Sequence, residues 1–255
     1  MTVQDLTAAT RKLVASLGQT RQRRANGLFT AEGSKCVADI LPHFKCRMLL
    51  ATSAWLGEHA ALVPHGADVY KATRADMERM SQLSTPSDVI AVFQLPEPPE
   101  PADATRQMVL ALDRVQDPGN LGTIIRVADW FGIRQIVCAP ETADAYSPKV
   151  IQSTMGAIAR VRPLYMPIED YLKLFPDAPL FGTFLDGENI YSSQLAGSGL
   201  IVMGNEGRGI SDNIARLIKR RLLIPSYPPG VPTSESLNVA TATAVILSEF
   251  RRRMI

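Results

Sequence analysis

Met108-Val-Leu-Ala-Leu-Asp-Arg-Val-Gln-Asp-Pro-Gly-Asn-Leu-Gly-Thr-Ile-Ile-Arg126 is the stretch on which the fold turns. It opens with a short, continuous apolar run, the pattern of a strand buried on both faces. Asp117-Pro118-Gly119 then reads as a turn, and Asn120 is suited to cap a helix beginning at Leu121. Leu121, Ile124, Ile125 and Ala128 form the buried stripe of that helix, which Gly132 ends. Arg126 falls off the stripe. At 1.5 Å per residue it lies about 9 Å along the axis from Asn120. Helical side chains lean toward the N-terminus, so its guanidinium can reach back to the loop mouth.

The same alternation continues downstream. Ile136-Val-Cys-Ala139, Leu180-Phe-Gly-Thr-Phe-Leu185, Leu200-Ile-Val-Met203 and Leu222-Leu-Ile224 are further apolar runs. Amphipathic segments over 121–131, 168–175, 211–219 and from 237 onward separate or follow them. Apolar strands alternating with helices predict an α/β fold, a parallel sheet covered on both faces. Such sheets bind ligands outside the carboxyl ends of their strands, so the chemistry is sought just after each run.

Upstream, Pro96, Pro98, Pro99 and Pro101 mark 96–105 as a proline-rich linker. The linker divides residues 1–95, a small α/β module, from a second domain over 106–255. In the module, Leu6, Leu13, Val14 and Leu17 recur at helical spacing before Gly18, and Met48-Leu-Leu50 and Val89-Ile-Ala-Val-Phe93 are strand-like. Arg21, Arg23, Arg24 and Lys35 make a basic cluster, readable either as a solvated face or as a phosphate-contacting one.

With 255 residues, 46% of them hydrophobic and 20% charged, the chain has ordinary globular composition. A net charge of +2 is too mild to argue for nucleic acid by itself, so that case rests on where charges cluster. Cys36, Cys46 and Cys138 are widely spaced and form no CxxC, and only three histidines are present, so no metal site is expected. Neither a secretory leader nor an 18-residue apolar span is apparent, so a cytoplasmic protein without a membrane segment is expected.

Two later segments add polar chemistry. Gly204-Asn-Glu-Gly-Arg-Gly-Ile210 follows the run ending at Met203; its glycines let backbone approach a ligand, but their order is neither the dinucleotide nor the phosphate-loop pattern. Glu206 in its middle needs donors. The stretch Ile224-Pro-Ser-Tyr-Pro-Pro-Gly-Val-Pro-Thr-Ser-Glu-Ser-Leu-Asn-Val-Ala240 is a proline-rich loop whose Ser236 and Asn238 stand where caps of the last helix would stand. Each loop taken singly is also compatible with a purely structural role.

Together, Asn120-x-Gly122-x-x-x-Arg126, Met203-Gly-Asn-Glu-Gly-Arg-Gly209 and Ile224-Pro225…Ser236-Leu-Asn-Val239 resemble the three motifs of the SpoU (TrmH) family of RNA ribose 2′-O-methyltransferases, in the SPOUT superfamily. The resemblance covers about residues 106–255. Gly27-Leu-Phe-Thr-Ala-Glu-Gly-Ser-Lys35 resembles, over a shorter stretch, the substrate-binding domain that precedes it in many members. The resemblance implies a trefoil knot, which sequence physics alone would not propose. It implies S-adenosyl-L-methionine as cofactor, a structured RNA (rRNA or tRNA) as substrate, and a homodimer with no metal. By position it assigns Gly204, Ile224 and Leu237 to the cofactor, with Asn205, Gly207, Pro225 and Thr183 beside them. Asn120, Arg126, Glu206, Ser236 and Asn238 match positions of catalysis and substrate binding.

Two departures stand out. The loop 226–235 is about four residues longer than the family pattern, and Ala240 replaces the serine usual after Ser-Leu-Asn-Val. Arginine stays protonated, with a pKa above about 12. Arg126 is therefore expected to bind the adjacent phosphate or stabilise the developing alkoxide; an arginine that accepts the proton is the alternative. A catalytically silent RNA-binding or ribosome-assembly protein of the same fold is the competing reading.

Overall fold

The computed structural model describes residues 3–63 and 65–254. The chain packs as two compact units, residues 1–97 with 144–159 and residues 98–143 with 160–255. In chain order the first unit contains β1 (Val3–Asp5), α1 (Ala8–Ser16), α2 (Thr20–Asn26), β2 (Leu28–Glu32), α3 (Ser34–Ile40), β3 (Cys46–Ala51), α4 (Ser53–Glu58), β4 (Asp68–Lys71), α5 (Arg74–Met80) and β5 (Val89–Gln94). Its sheet runs β1-β4-β3-β5-β2, with β5 antiparallel to both neighbours. Thr7 caps α1, and Val14 and Leu17 bury against Met77, Met80 and Ile90, so the apolar spacing expected there faces the core.

The elements that position the site follow: β6 (Met108–Leu112), α6 (Pro118–Trp130), β7 (Gln135–Cys138), α7 (Pro148–Thr154), β8 (Arg162–Tyr165), α8 (Ile168–Leu174), β9 (Leu180–Asn189), β10 (Gly199–Met203), α9 (Asp212–Ala215), β11 (Arg220–Leu223) and α10 (Val239–Arg252). Of these, α7 belongs to the first unit. The second unit's sheet has the order β11-β9-β10-β6-β7-β8, and every neighbouring pair is parallel. All residues of β6, β7 and β10 are buried, which is why those runs carry no polar alternation.

Several expectations change in detail. Arg162-Pro-Leu-Tyr165 was not anticipated as a strand; it lies at the sheet edge, where a proline is tolerated because one side of the ladder is open. The helix expected over 211–219 is helical only at Asp212–Ala215. The proline-rich stretch is extended, yet from Pro98 it belongs to the second unit: Ala104 is fully buried, Ala102 N donates to Gln135 Oε1 at 2.7 Å, and the Tyr171 hydroxyl donates to Ala102 O. No helix among the described residues is long and apolar enough to cross a membrane.

Candidate active site

Because the second unit's strands are parallel, the loops after β6 and β10 open at the same sheet edge, and these two strands are neighbours. The chain runs from β7 and β8 on one side of β6 to β9 and β10 on the other, so this edge is a topological switch point.

The loop after β6 corrects one expectation. Asp117, not Asn120, caps α6: its Oδ1 accepts the Asn120 backbone N–H at 2.7 Å, and Pro118 occupies the first helical position, where no donor is needed. Asn120 thus sits inside the first turn with its side-chain amide released from capping. Leu121, Ile124, Ile125 and Ala128 are buried, as their spacing predicts. Arg126 is exposed, and its side chain makes no hydrogen bond or ion pair among the described residues.

The loop after β10 folds back on itself. Asn205 and Gly209 exchange backbone hydrogen bonds of 3.0 and 2.9 Å. A Cβ on Gly204 would lie 2.3 Å from the Gly209 carbonyl carbon and 2.4 Å from Ile210 N, so only glycine permits this fold-back. Asn205 Oδ1 accepts from the N–H groups of Gly207 and Arg208, while its Nδ2 donates to Arg114 O at 2.8 Å. The side chain expected at the cofactor therefore ties the two loops together, leaving Glu206 exposed at the tip of the turn.

The third segment closes the arrangement. Asn238 caps α10, its Oδ1 accepting from Ala240 N at 2.9 Å and Thr241 N at 3.2 Å. That fixes which end of the amide points outward. The outward Nδ2 donates to Asn120 Oδ1 at 2.9 Å, and Asn120 Nδ2 in turn donates to Glu206 Oε1 at 2.9 Å. One chain of hydrogen bonds thus runs from the α10 N-terminus through Asn238 and Asn120 to a carboxylate, joining all three loops.

The remaining expected residues are distributed around this chain. Ser236 is exposed and has no hydrogen bond among the described residues. Thr183 lies in β9 beside β10, its hydroxyl 3.5 Å from Val202 O. Ile224 and Pro225 are half-buried just beyond β11, and Leu237 is 49% exposed. The backbone N–H and C=O groups of Ile224 and Leu237 make no hydrogen bond among the described residues. Unpaired donors and acceptors flanked by apolar side chains suit an adenine, which presents both acceptor and donor along one edge and two apolar faces. That chemistry is compatible with the adenosine the sequence resemblance implies.

In the first unit the basic cluster divides. Arg21, Arg24 and Lys35 are exposed, Lys35 lying 3.4 Å from Asp39. Arg23 is 1% exposed: it pairs with Asp144 at 2.6 Å and donates to Leu17 O, Gly18 O and Thr20 Oγ1. The expectation that it contacts RNA is corrected, because its guanidinium is consumed inside the unit. Burial also pushes the thiols up, Cys36 to about 11 and Cys46 to about 12, so neither is a nucleophile at neutral pH.

Sequence reasoning passed over Asp113, a carboxylate 3% exposed that accepts the Ser211 N–H at 2.6 Å and holds the start of α9 against the end of β6. An acidic residue immediately after a buried strand is the signal that could have found it.

The chain matches the SpoU rRNA Methylase family over residues 107–248 and the MRM3-like substrate binding domain over residues 10–91. It is similar to the 23S rRNA (guanosine(2553)-2′-O)-methyltransferase RlmP of Bacillus subtilis, at 33% identity over 193 residues covering 73% of each chain. Among solved structures it is similar to a TrmH-family protein from Porphyromonas gingivalis, with a TM-score of 0.89 and 43% identity over 98% of this chain and 100% of that one. It is also similar to an AdoMet-bound rRNA methyltransferase from Sinorhizobium meliloti, with a TM-score of 0.85 and 29% identity over 99% of each.

Proposed function

The chain belongs to the SpoU rRNA methylase family, and from that premise we propose that the surface around the hydrogen-bonded Asn120, Glu206 and Asn238 is where it methylates its RNA. It is an RNA ribose 2′-O-methyltransferase that uses S-adenosylmethionine. The substrate we assign within that class is ribosomal RNA of the large subunit, on the strength of the 23S rRNA relatives and the substrate-binding domain matched over residues 10–91.

The observation that carries the site is the hydrogen-bond chain Asn238–Asn120–Glu206, which brings three segments distant in sequence to one place. When bound, S-adenosylmethionine supplies an electrophilic methyl group on a sulfonium. Ile224, Leu237 and the main chain around Gly204 would hold its adenosine, with Thr183, Asn205, Gly207 and Pro225 shaping the surrounding wall. Fixing the ribose beside it is the main catalytic task, and such alignment contributes roughly 7–11 kcal/mol in favourable cases. The methyl group would leave the sulfonium as its C–S bond breaks, giving a neutral thioether, and the ribose hydroxyl proton would pass to water; Arg126 would stabilise the negative charge developing on that oxygen while gripping the neighbouring phosphate. Glu206, Asn120 and Asn238 hold the loops in register, and Ser236 orients the sugar.

We further assign residues 1–95 to RNA capture through Arg21, Arg24 and Lys35. The motif sequence supports a trefoil knot in the second unit. The same motif sequence supports a homodimer. A ribosomal substrate supports a cytoplasmic location.

Arg126→Ala tests the reading. Methyl transfer from labelled S-adenosylmethionine to ribosomal RNA should fall by about a hundredfold or more, with cofactor affinity unchanged in a binding titration. Near-normal turnover in that variant overturns the assignment.

A further inference from the structure

A cavity of about 270 Å³ opens at the carboxyl ends of β6, β7 and β8, and Ser211, Asn213 and Ile214 from the segment after β10 complete its wall. None of the residues assigned above to cofactor or ribose lines it. Its polar walls include Arg114 and Glu141, and Pro140, Pro167 and Ile214 supply apolar surface. The volume falls just below the roughly 300 Å³ at which pockets for drug-sized ligands begin. It suits a single base.

Arg114 is held there at a cost. Its φ is +61°, a left-handed conformation that a non-glycine residue adopts rarely and that persists only where surroundings enforce it. The enforcement is visible. Asn205 Nδ2 donates to its carbonyl at 2.8 Å, and the buried carboxylate of Asp113 accepts from its Nε at 3.2 Å. Both terminal guanidinium nitrogens remain without a hydrogen bond among the described residues, and so does the Glu141 carboxylate. One arginine and three carboxylates line the cavity; Arg114 pairs through Nε with Asp113 and does not close on Glu141.

We propose that this cavity receives an extruded guanine of the RNA substrate; the inference rests on the methyltransferase reading and extends it to base selection. Guanine offers O6 and N7 as paired acceptors, which an arginine fork engages with two parallel hydrogen bonds. Its opposite edge carries N1–H and the N2 amino group, donors that a carboxylate accepts, and Glu141 supplies one. Pro140 and Pro167 provide apolar surface for the ring. Adenine would set its N6 donor against the arginine, pyrimidines lack N7, and a phosphate would meet the carboxylates of Glu141 and Glu169 on the same walls.

The test uses the full chain, the four nucleoside 5′-monophosphates as probes, and transcribed 23S rRNA as methyl acceptor. Arg114→Gly removes the fork at a position whose backbone glycine adopts without strain, and unchanged circular dichroism and S-adenosylmethionine affinity confirm the fold. GMP should bind at least about tenfold more tightly than UMP or CMP, in line with one bidentate base contact. Arg114→Gly should abolish that preference and lower kcat/KM for RNA about tenfold; Glu141→Ala should weaken GMP while sparing cofactor binding. Equal binding of all four nucleotides, or unaltered kcat/KM in Arg114→Gly, overturns the proposal. A wild-type protein that binds GMP through Arg114 yet methylates no RNA would instead support the cavity and overturn the functional reading beneath it.

Discussion

Asn238 donates its side-chain amide to Asn120 Oδ1 at 2.9 Å across 118 residues of sequence. The direction of that bond is set by the helix cap, because Oδ1 of Asn238 is already occupied by the first N–H groups of α10. Local capping and the joining of distant loops are therefore one device, and substitutions at Asn238 can separate its two halves.

Asn238→Asp keeps an acceptor for the cap but replaces the donor to Asn120 with a carboxylate oxygen facing Asn120 Oδ1. Thermal stability should stay close to wild type while methyl transfer falls at least about tenfold, the loss of one charge-free hydrogen bond plus a repulsion. Asn238→Ala should lose both activity and about 1 kcal/mol of stability from the missing cap. Paired melting curves and transfer assays check this; equal activity in the aspartate variant would refute the relay.

Gly204→Ala should disrupt the turn that carries Glu206. The added Cβ would meet backbone atoms of Gly209 and Ile210 at 2.3 and 2.4 Å, and backbone has no rotamer with which to yield. S-adenosylmethionine affinity and turnover should drop together, while far-ultraviolet circular dichroism reports an intact fold.

The two arginine environments of α2 predict opposite phenotypes. Arg21→Glu with Arg24→Glu should weaken RNA binding and reduce the slope of log affinity against log salt by roughly 1.4–1.8, the release expected for two phosphate contacts. Arg23→Ala should cost about 3 kcal/mol of stability, because it strips a buried ion pair and leaves Asp144 unmatched. Its effect should appear in a denaturant titration.

Acid sensitivity should come partly from α10. Salt bridges from Arg252 and Arg253 hold the Glu249 carboxyl down to about 2, well below the ordinary glutamate range. Between those values the unfolded chain binds the proton and the folded one does not, so stability rises with pH across the window. The contribution is complete above the ordinary glutamate range and fades as pH falls toward about 2. Glu249→Gln should remove this component and flatten the acid limb of stability against pH.

What the sequence by itself determined was everything that local pattern controls. The buried strands at 108–112 and 199–203, the apolar stripe of Leu121, Ile124, Ile125 and Ala128, and the cap at Asn238 follow from burial periodicity and from the few side chains able to satisfy a helix start. The three motif loops could likewise be singled out along the chain. Tertiary structure alone decided how the polar side chains were used. Asn120 was free to join Glu206 and Asn238 because Asp117 had taken the cap; Arg23 turned inward because Asp144 came to meet it; the left-handed backbone of Arg114 is held by Asn205, on another loop, which donates to its carbonyl. Hydrophobic burial is readable from spacing, since any core of about the right shape satisfies it. A hydrogen bond needs its one partner within about 3 Å, and for partners 86 and 118 residues apart only the closed sheet supplies that distance.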